Sequence, residues 1–206
     1  MSAFTYNVAY TIAANRGAAP AERLTRAELW QGVKRGARHP GEFAAHVQAC
    51  TVLPGGTRNE FVREIVIGDG GVHAKSGKRM TQDVFLQDNL YVRTLSFTIH
   101  ILTDRIMQLL ATVRETGAKT TMMVGYGCES GSQEDEELDL YLTLYYELVM
   151  RDDAPEPGSK AEQELIAGYR ALAKRLCEET VNLVRGWKKS GRLEKLAKEE
   201  EEEENA

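Results

Sequence analysis

Between Leu165 and Trp187 a single stripe recurs every three or four residues: Leu165, Tyr169, Leu172, Leu176, Thr180, Leu183 and Trp187. That spacing predicts one helix over about residues 160–189, roughly 45 Å long at 1.5 Å per residue. Its other face carries Lys174, Arg175, Glu178, Glu179, Lys188 and Lys189. A helix of this length with one dry side needs a broad apolar surface to lie on.

The preceding chain supplies strands. Residues 138–150 alternate, with Leu138, Leu140, Leu142, Leu144, Tyr146 and Leu148 on one face. Asp139, Tyr141, Thr143, Tyr145 and Glu147 fall on the other, which reads as the solvated side of a half-buried sheet. Residues 4–12 alternate in the same way, and further strands read over 47–53, 59–67, 78–87, 90–101 and 118–127. The Pro-Gly-Gly and Gly-Asp-Gly-Gly turns and the pair Asp88-Asn89 separate several of them as antiparallel hairpins. Residues 103–114 fit a helical stripe and a strand face equally well; their strand neighbours favour a strand. After the first strand, Thr25 with Glu28 forms a capping box that starts a helix running to about Arg38. His39-Pro40 ends it, and a second short helix is expected over Gly41 to His46.

Among 206 residues, 42% are apolar and 28% charged, which excludes a collagen, a disordered chain and a multi-span membrane protein. No apolar run approaches the ~20 residues needed to cross a bilayer, so no stable membrane insertion is expected. Without Glu199 to Glu204 the net charge rises from −5 to +1, so no nucleic-acid partner is expected. The expected organisation is a single domain over 1–192 and an acidic, disordered tail over 193–206. Cys50, Cys128 and Cys177 are odd in number and widely spaced, as in a reducing compartment. The first fifteen residues lack the pattern of a signal peptide, so a cytoplasmic location is expected.

The order of elements is therefore α+β: a strand, two short helices, six or seven antiparallel strands, and a long C-terminal helix. A single helix cannot fill the concavity of a curved sheet, so a cavity is expected between them. This order resembles the helix-grip fold of the SRPBCC superfamily, which includes START domains, birch-pollen allergens and aromatic polyketide cyclases. Within it, LTRAELWQGVKRGARHPGEF at 24–43, EFVREIVIG at 60–68 and LDLYLTLYYEL at 138–148 are similar to the AtaL-like group. The resemblance implies an apolar ligand cavity and a place in secondary-metabolite pathways. It transfers no catalytic residue set.

Candidate cavity residues follow from the faces. Strand 59–67 sets Arg63 among Phe61, Ile65 and Ile67, where an unpartnered charge is costly to bury. In a cavity it binds a carboxylate, phenolate or enolate oxygen; otherwise it snorkels to the sheet edge or pairs with a buried glutamate. Strand 90–101 repeats the pattern with Tyr91, Arg93, Leu95, Phe97 and Ile99. Tyr146 on the leucine face, Tyr169 on the helix stripe and Tyr126 beside Met122 and Val124 read as pocket lining or as core. His39, His46, His73 and His100 show no metal-ligand spacing, and the glycines around Tyr126 do not fit a nucleotide-binding loop, so neither metal nor cofactor is expected.

Three readings remain open. One is a cofactor-independent cyclase, isomerase or dehydratase that stabilises an enolate with Arg63 or Arg93. Another is a non-catalytic carrier of a small hydrophobic metabolite or lipid. The last is a protein-partner module. The oligomeric state is left open.

Overall fold

The computed structural model describes residues 4–72, 76–90, 106–127, 139–150 and 154–204. Among the described residues seven strands form one antiparallel sheet: β1 (Phe4–Ala13), β2 (Val47–Val52), β3 (Glu60–Ile67), β4 (Arg79–Leu90), β5 (Ile106–Val113), β6 (Lys119–Tyr126) and β7 (Leu140–Met150). Their spatial order is β1-β7-β6-β5-β4-β3-β2. From β2 to β7 strands adjacent in sequence therefore pair antiparallel, while β1 leaves β2 at the opposite edge and pairs with β7, Phe4 opposite Met150 and Ala13 opposite Tyr141. Among the described residues three α-helices accompany the sheet: α1 (Arg26–Arg38), α2 (Lys160–Ser190) and α3 (Arg192–Glu204). This is the helix-grip arrangement, a curved sheet wrapped around a long C-terminal helix.

The period-two pattern of β7 is realised residue by residue. Leu140, Leu142, Leu144, Tyr146, Leu148 and Met150 are buried, and the residues between them are half-buried. On the outer face Lys119 pairs with Glu147 at 2.8 Å, and Tyr145 donates to Asn7 at 2.7 Å. The ambiguous stretch resolves as strand β5, with Leu109, Ala111 and Val113 on its buried face. The expected turn at Asp88-Asn89 is instead a register shift inside β4, between Gln87 and Leu90. Asp88 is held there by the Trp30 indole, which donates to Oδ1 at 2.5 Å. The expected strand over 90–101 lies outside the described residues, apart from Leu90.

The capping box of α1 forms as read: Glu28 N donates to Thr25 Oγ1 at 3.2 Å, and Thr25 N to Glu28 Oε2 at 2.7 Å. The helix expected over 41–46 is only a single 3-10 turn at Pro40–Glu42. Helix α2 runs 31 residues and ends at Gly191, whose φ of 70° is the left-handed cap that glycine takes without strain. Leu165, Leu172, Thr180 and Trp187 of the expected stripe are buried, but the buried face is shifted in part toward smaller side chains. Cys177, Val181 and Val184 are buried, whereas Tyr169, Leu176 and Leu183 are only partly so.

The acidic tail differs from expectation. Residues 192–204 are helical, and Leu193 and Leu196 are buried, three residues apart on one face. Arg192 lies 4.5 Å over the Trp187 ring and pairs with Glu42 at 2.9 Å. Two buried leucines explain why this segment packs despite its charge. Ending the chain at Gly191 is expected to cost about 3 kcal/mol in urea unfolding, whereas ending it at Lys198 costs under about 0.5 kcal/mol. Equal midpoints for the intact and Gly191-terminated chains would mean α3 contributes nothing.

Candidate functional site

Helix α1 shares the concave face of the sheet with α2. It buries Leu29, Trp30, Val33 and Ala37 there, so most of the expected cavity is filled. What remains between sheet, α1 and α2 is a void of about 100 Å³. Gly32, Val33 and Gly36 of α1 form one wall, Leu109, Met122 and Leu144 the floor, and Leu176 the α2 side. Four polar side chains reach it: Arg63, Thr120, Tyr146 and Thr180.

The local sequence explains the wall. Gly32 and Gly36 stand one turn apart in α1, where each costs about 1 kcal/mol relative to alanine. A Cβ at Gly32 would lie 2.1 Å from Val184 Cγ2, so its absence lets α1 and α2 meet. A Cβ at Gly36 would lie 3.3 Å from the Phe43 ring, itself edge-on to Trp187 at 5.3 Å.

Arg63 sits on β3 directly opposite Gln82 of β4, and the pair is buried. Its Nε donates to Gln82 Oε1 at 2.8 Å. One terminal nitrogen donates to the carbonyl of Ala37, and also to that of Gly36 at 3.4 Å. The guanidinium therefore caps the last turn of α1, where a positive charge is favourable. Among the described residues no carboxylate pairs with it. Burial pulls its pKa down to about 10. Even so, guanidinium remains the charged form near neutral pH.

Tyr146 is buried, and its hydroxyl has no hydrogen-bond partner among the described residues. Burial, with Tyr169 and Cys177 close by, raises its pKa, so the hydroxyl stays protonated. Thr180, also buried, lines the same void. The void thus holds a fixed cation and hydroxyl donors in apolar walls. Such a set can hold a developing oxyanion.

The six residues expected to line a cavity are distributed unevenly. Arg63 and Tyr146 meet at the void. Tyr169 stands behind it, edge-on to Tyr146 at 5.4 Å, and donates to the Val72 carbonyl at 3.3 Å. Tyr126 lies elsewhere, under the Arg26 guanidinium at 5.5 Å. Tyr91 and Arg93 lie outside the described residues. Sequence reasoning did not single out Thr120, Thr180 or the glycine pair; two costly glycines inside a well-capped helix were the available signal. Among the described residues no cluster of His, Cys, Asp and Glu is placed to hold a metal ion, and no helix is long and apolar enough to cross a membrane.

A family model described as acetylaranotin biosynthesis cluster protein L matches residues 8–191. The protein of that description from Aspergillus terreus is 30% identical over 195 residues, covering 94% of this chain and 96% of its own length. Among solved structures, Ara h 8.0201 is similar at a TM-score of 0.45 and 10% identity, over 89% of this chain and 98% of its own. The aromatase/cyclase Zhui, from a Streptomyces species, is similar at 0.44 and 13% identity, over 91% of this chain and 94% of its own. With the family model spanning most of its length and the Aspergillus protein aligned nearly end to end, the chain belongs to the AtaL family, that of acetylaranotin biosynthesis cluster protein L.

Proposed function

We propose that this protein binds a small, apolar, oxygenated metabolite at the void between the sheet, α1 and α2, and acts on it without redox chemistry in a secondary-metabolite pathway. The observation that carries the reading is Arg63: a buried guanidinium with no carboxylate partner among the described residues, in the wall of an otherwise apolar void. Its hydrogen bonds to Gln82 and to the Gly36 and Ala37 carbonyls bring no full countercharge, and an anionic or enolisable oxygen on a ligand would supply one. Tyr146 supplies a protonated hydroxyl in the same walls. Arg63 and Tyr146 would both donate to a carbonyl oxygen of the ligand and so acidify its α-C–H. The polar side chains of the void are donors, so the α-proton would pass to water as the enolate forms and return from water when it collapses, the polarisation a cyclisation, isomerisation or dehydration needs. The name of the Aspergillus relative supports the pathway setting. The free thiols of Cys50 and Cys177 suit a reducing cytoplasm.

The void's size restricts what enters. Ligand pockets usually measure about 300–1,000 Å³. A void of about 100 Å³ takes one oxygenated ring or a short enone, which makes that end of the molecule the part that is read.

Native mass spectrometry of the protein purified from its producing cells, beside Tyr146→Phe, tests this. The intact protein is expected to carry a small-molecule mass, and Tyr146→Phe to lose about tenfold of its occupancy. The variant's melting temperature should not fall, because the lost hydroxyl bonds no described residue. Protein that stays empty even after incubation with extract of those cells defeats the proposal, as does full occupancy in Tyr146→Phe.

A further inference from the structure

A second opening lies on the other flank of α1. It is a cleft of about 400 Å³ between α1, the β2–β3 turn and α3, within the size range of ligand pockets. Its floor is apolar, made by Val52, Phe61 and Leu86. Its charged lining is one-sided: Lys34, Arg35, Arg38 and Arg58 against Glu199. From this geometry we infer that the cleft binds the carboxylate head of an aromatic or aliphatic acid, with Arg38 as its anchor. The inference does not depend on the reading of the inner void.

Arg38 carries the argument. Its guanidinium lies 4.3 Å over the Phe61 ring, a cation–π contact that holds the head group against the cleft floor. One terminal nitrogen donates to the Arg58 carbonyl at 3.0 Å. Its remaining N–H groups have no partner among the described residues, and no described carboxylate pairs with it. Arg35, by contrast, is engaged by Glu42 at 2.6 Å. Arg35 and Arg38 also complement the dipole at the end of α1, and that alone would explain their charge. It would not explain a half-buried guanidinium held over the Phe61 ring beside an apolar-floored cleft. A planar fork held in place is what bidentate recognition of a carboxylate requires. The floor then takes the ligand's hydrocarbon part. Leu53, among the few exposed large apolar side chains, stands at its rim.

The probes are cinnamate and cinnamyl alcohol, which share a body and differ in charge, titrated by ligand-observed NMR. Cinnamate is expected to bind at least about tenfold more tightly than the alcohol. Arg38→Gln should abolish that preference, and Arg38→Lys should keep only part of it, since a point charge replaces the fork. Arg79→Gln removes one positive charge at an exposed site paired with Glu64, and should leave the preference intact. Melting temperatures establish that each variant is folded. The inference is overturned if the intact protein shows no preference for cinnamate. It is also overturned if Arg38→Gln keeps the preference, or if Arg79→Gln loses as much of it.

Discussion

Gly32→Ala is expected to destabilise the protein by about 2 kcal/mol, although alanine is the better helix former by about 1 kcal/mol. The reason is the approach of α1 to α2. The new Cβ would stand 2.1 Å from Val184 Cγ2, far inside van der Waals contact, and Val184 is fully buried with a stiff side chain. Either Val184 leaves its rotamer or α1 lifts from the sheet, and α1 carries Leu29, Trp30, Val33 and Ala37 into the core. Gly186 supplies the contrast. It is also helical, but a Cβ there meets nothing within 4 Å. Gly186→Ala should therefore stabilise, by about 0.5–1 kcal/mol. Val184→Ala in the Gly32→Ala background should recover about 1 kcal/mol relative to additivity. Urea unfolding of Gly32→Ala, Gly186→Ala, Val184→Ala and the Gly32→Ala/Val184→Ala double variant reads all of this. A Gly32→Ala protein as stable as the parent would show that the two helices do not meet through this glycine.

The fold was legible wherever one period dominated. The alternation through Leu140, Leu142 and Leu144 has only one reading as a half-buried strand, and the capping box at Thr25 and Glu28 names its own helix start. The long helix was equally plain, but its orientation was not. Leu165, Leu172, Leu176 and Leu183 satisfy the three–four spacing, and so do Leu165, Ala173, Cys177, Val181 and Val184. Hydrophobicity favours the leucines; the concave sheet and α1 leave room for the smaller side chains. The same cause explains the small void. The sequence reading assigned the concavity to the C-terminal helix alone, yet Trp30 and Val33 of α1 lie there too. The leucine pair in α3 was masked by the glutamate run that follows it.

The site was legible to the level of faces and no further. Alternation placed Arg63 and Tyr146 on the inner face of the sheet, and both reach the void. Tyr126 satisfied the same rule but lies under Arg26, because its place near the end of β6 sets it apart from the void. No periodicity could supply Arg63's partners. Gln82 faces it through the β3–β4 register, and the Gly36 and Ala37 carbonyls arrive because α1 ends above β3. Such contacts depend on where elements cross, which local sequence does not encode.

Arg63→Met is expected to cost about 3 kcal/mol of stability as well as the ligand, and so to separate Arg63 from Tyr146. Methionine matches the length of the side chain and removes the cost of burying a cation, so a purely apolar role would leave stability unchanged. The substitution instead strands three acceptors, Gln82 Oε1 and the carbonyls of Gly36 and Ala37, inside the protein. The C-terminal turn of α1 then loses its cap, and the amides of Arg35 to Arg38 should exchange with solvent faster than those of its first turns. Tyr146→Phe strands nothing among the described residues and should keep its melting temperature. Loss of bound metabolite in both variants, with loss of stability in Arg63→Met alone, is the pattern expected of a guanidinium that fastens α1 and faces the ligand. An Arg63→Met protein with unchanged stability and unchanged amide exchange would mean that the capping contacts contribute nothing. Unchanged occupancy in that variant would remove Arg63 from the ligand site.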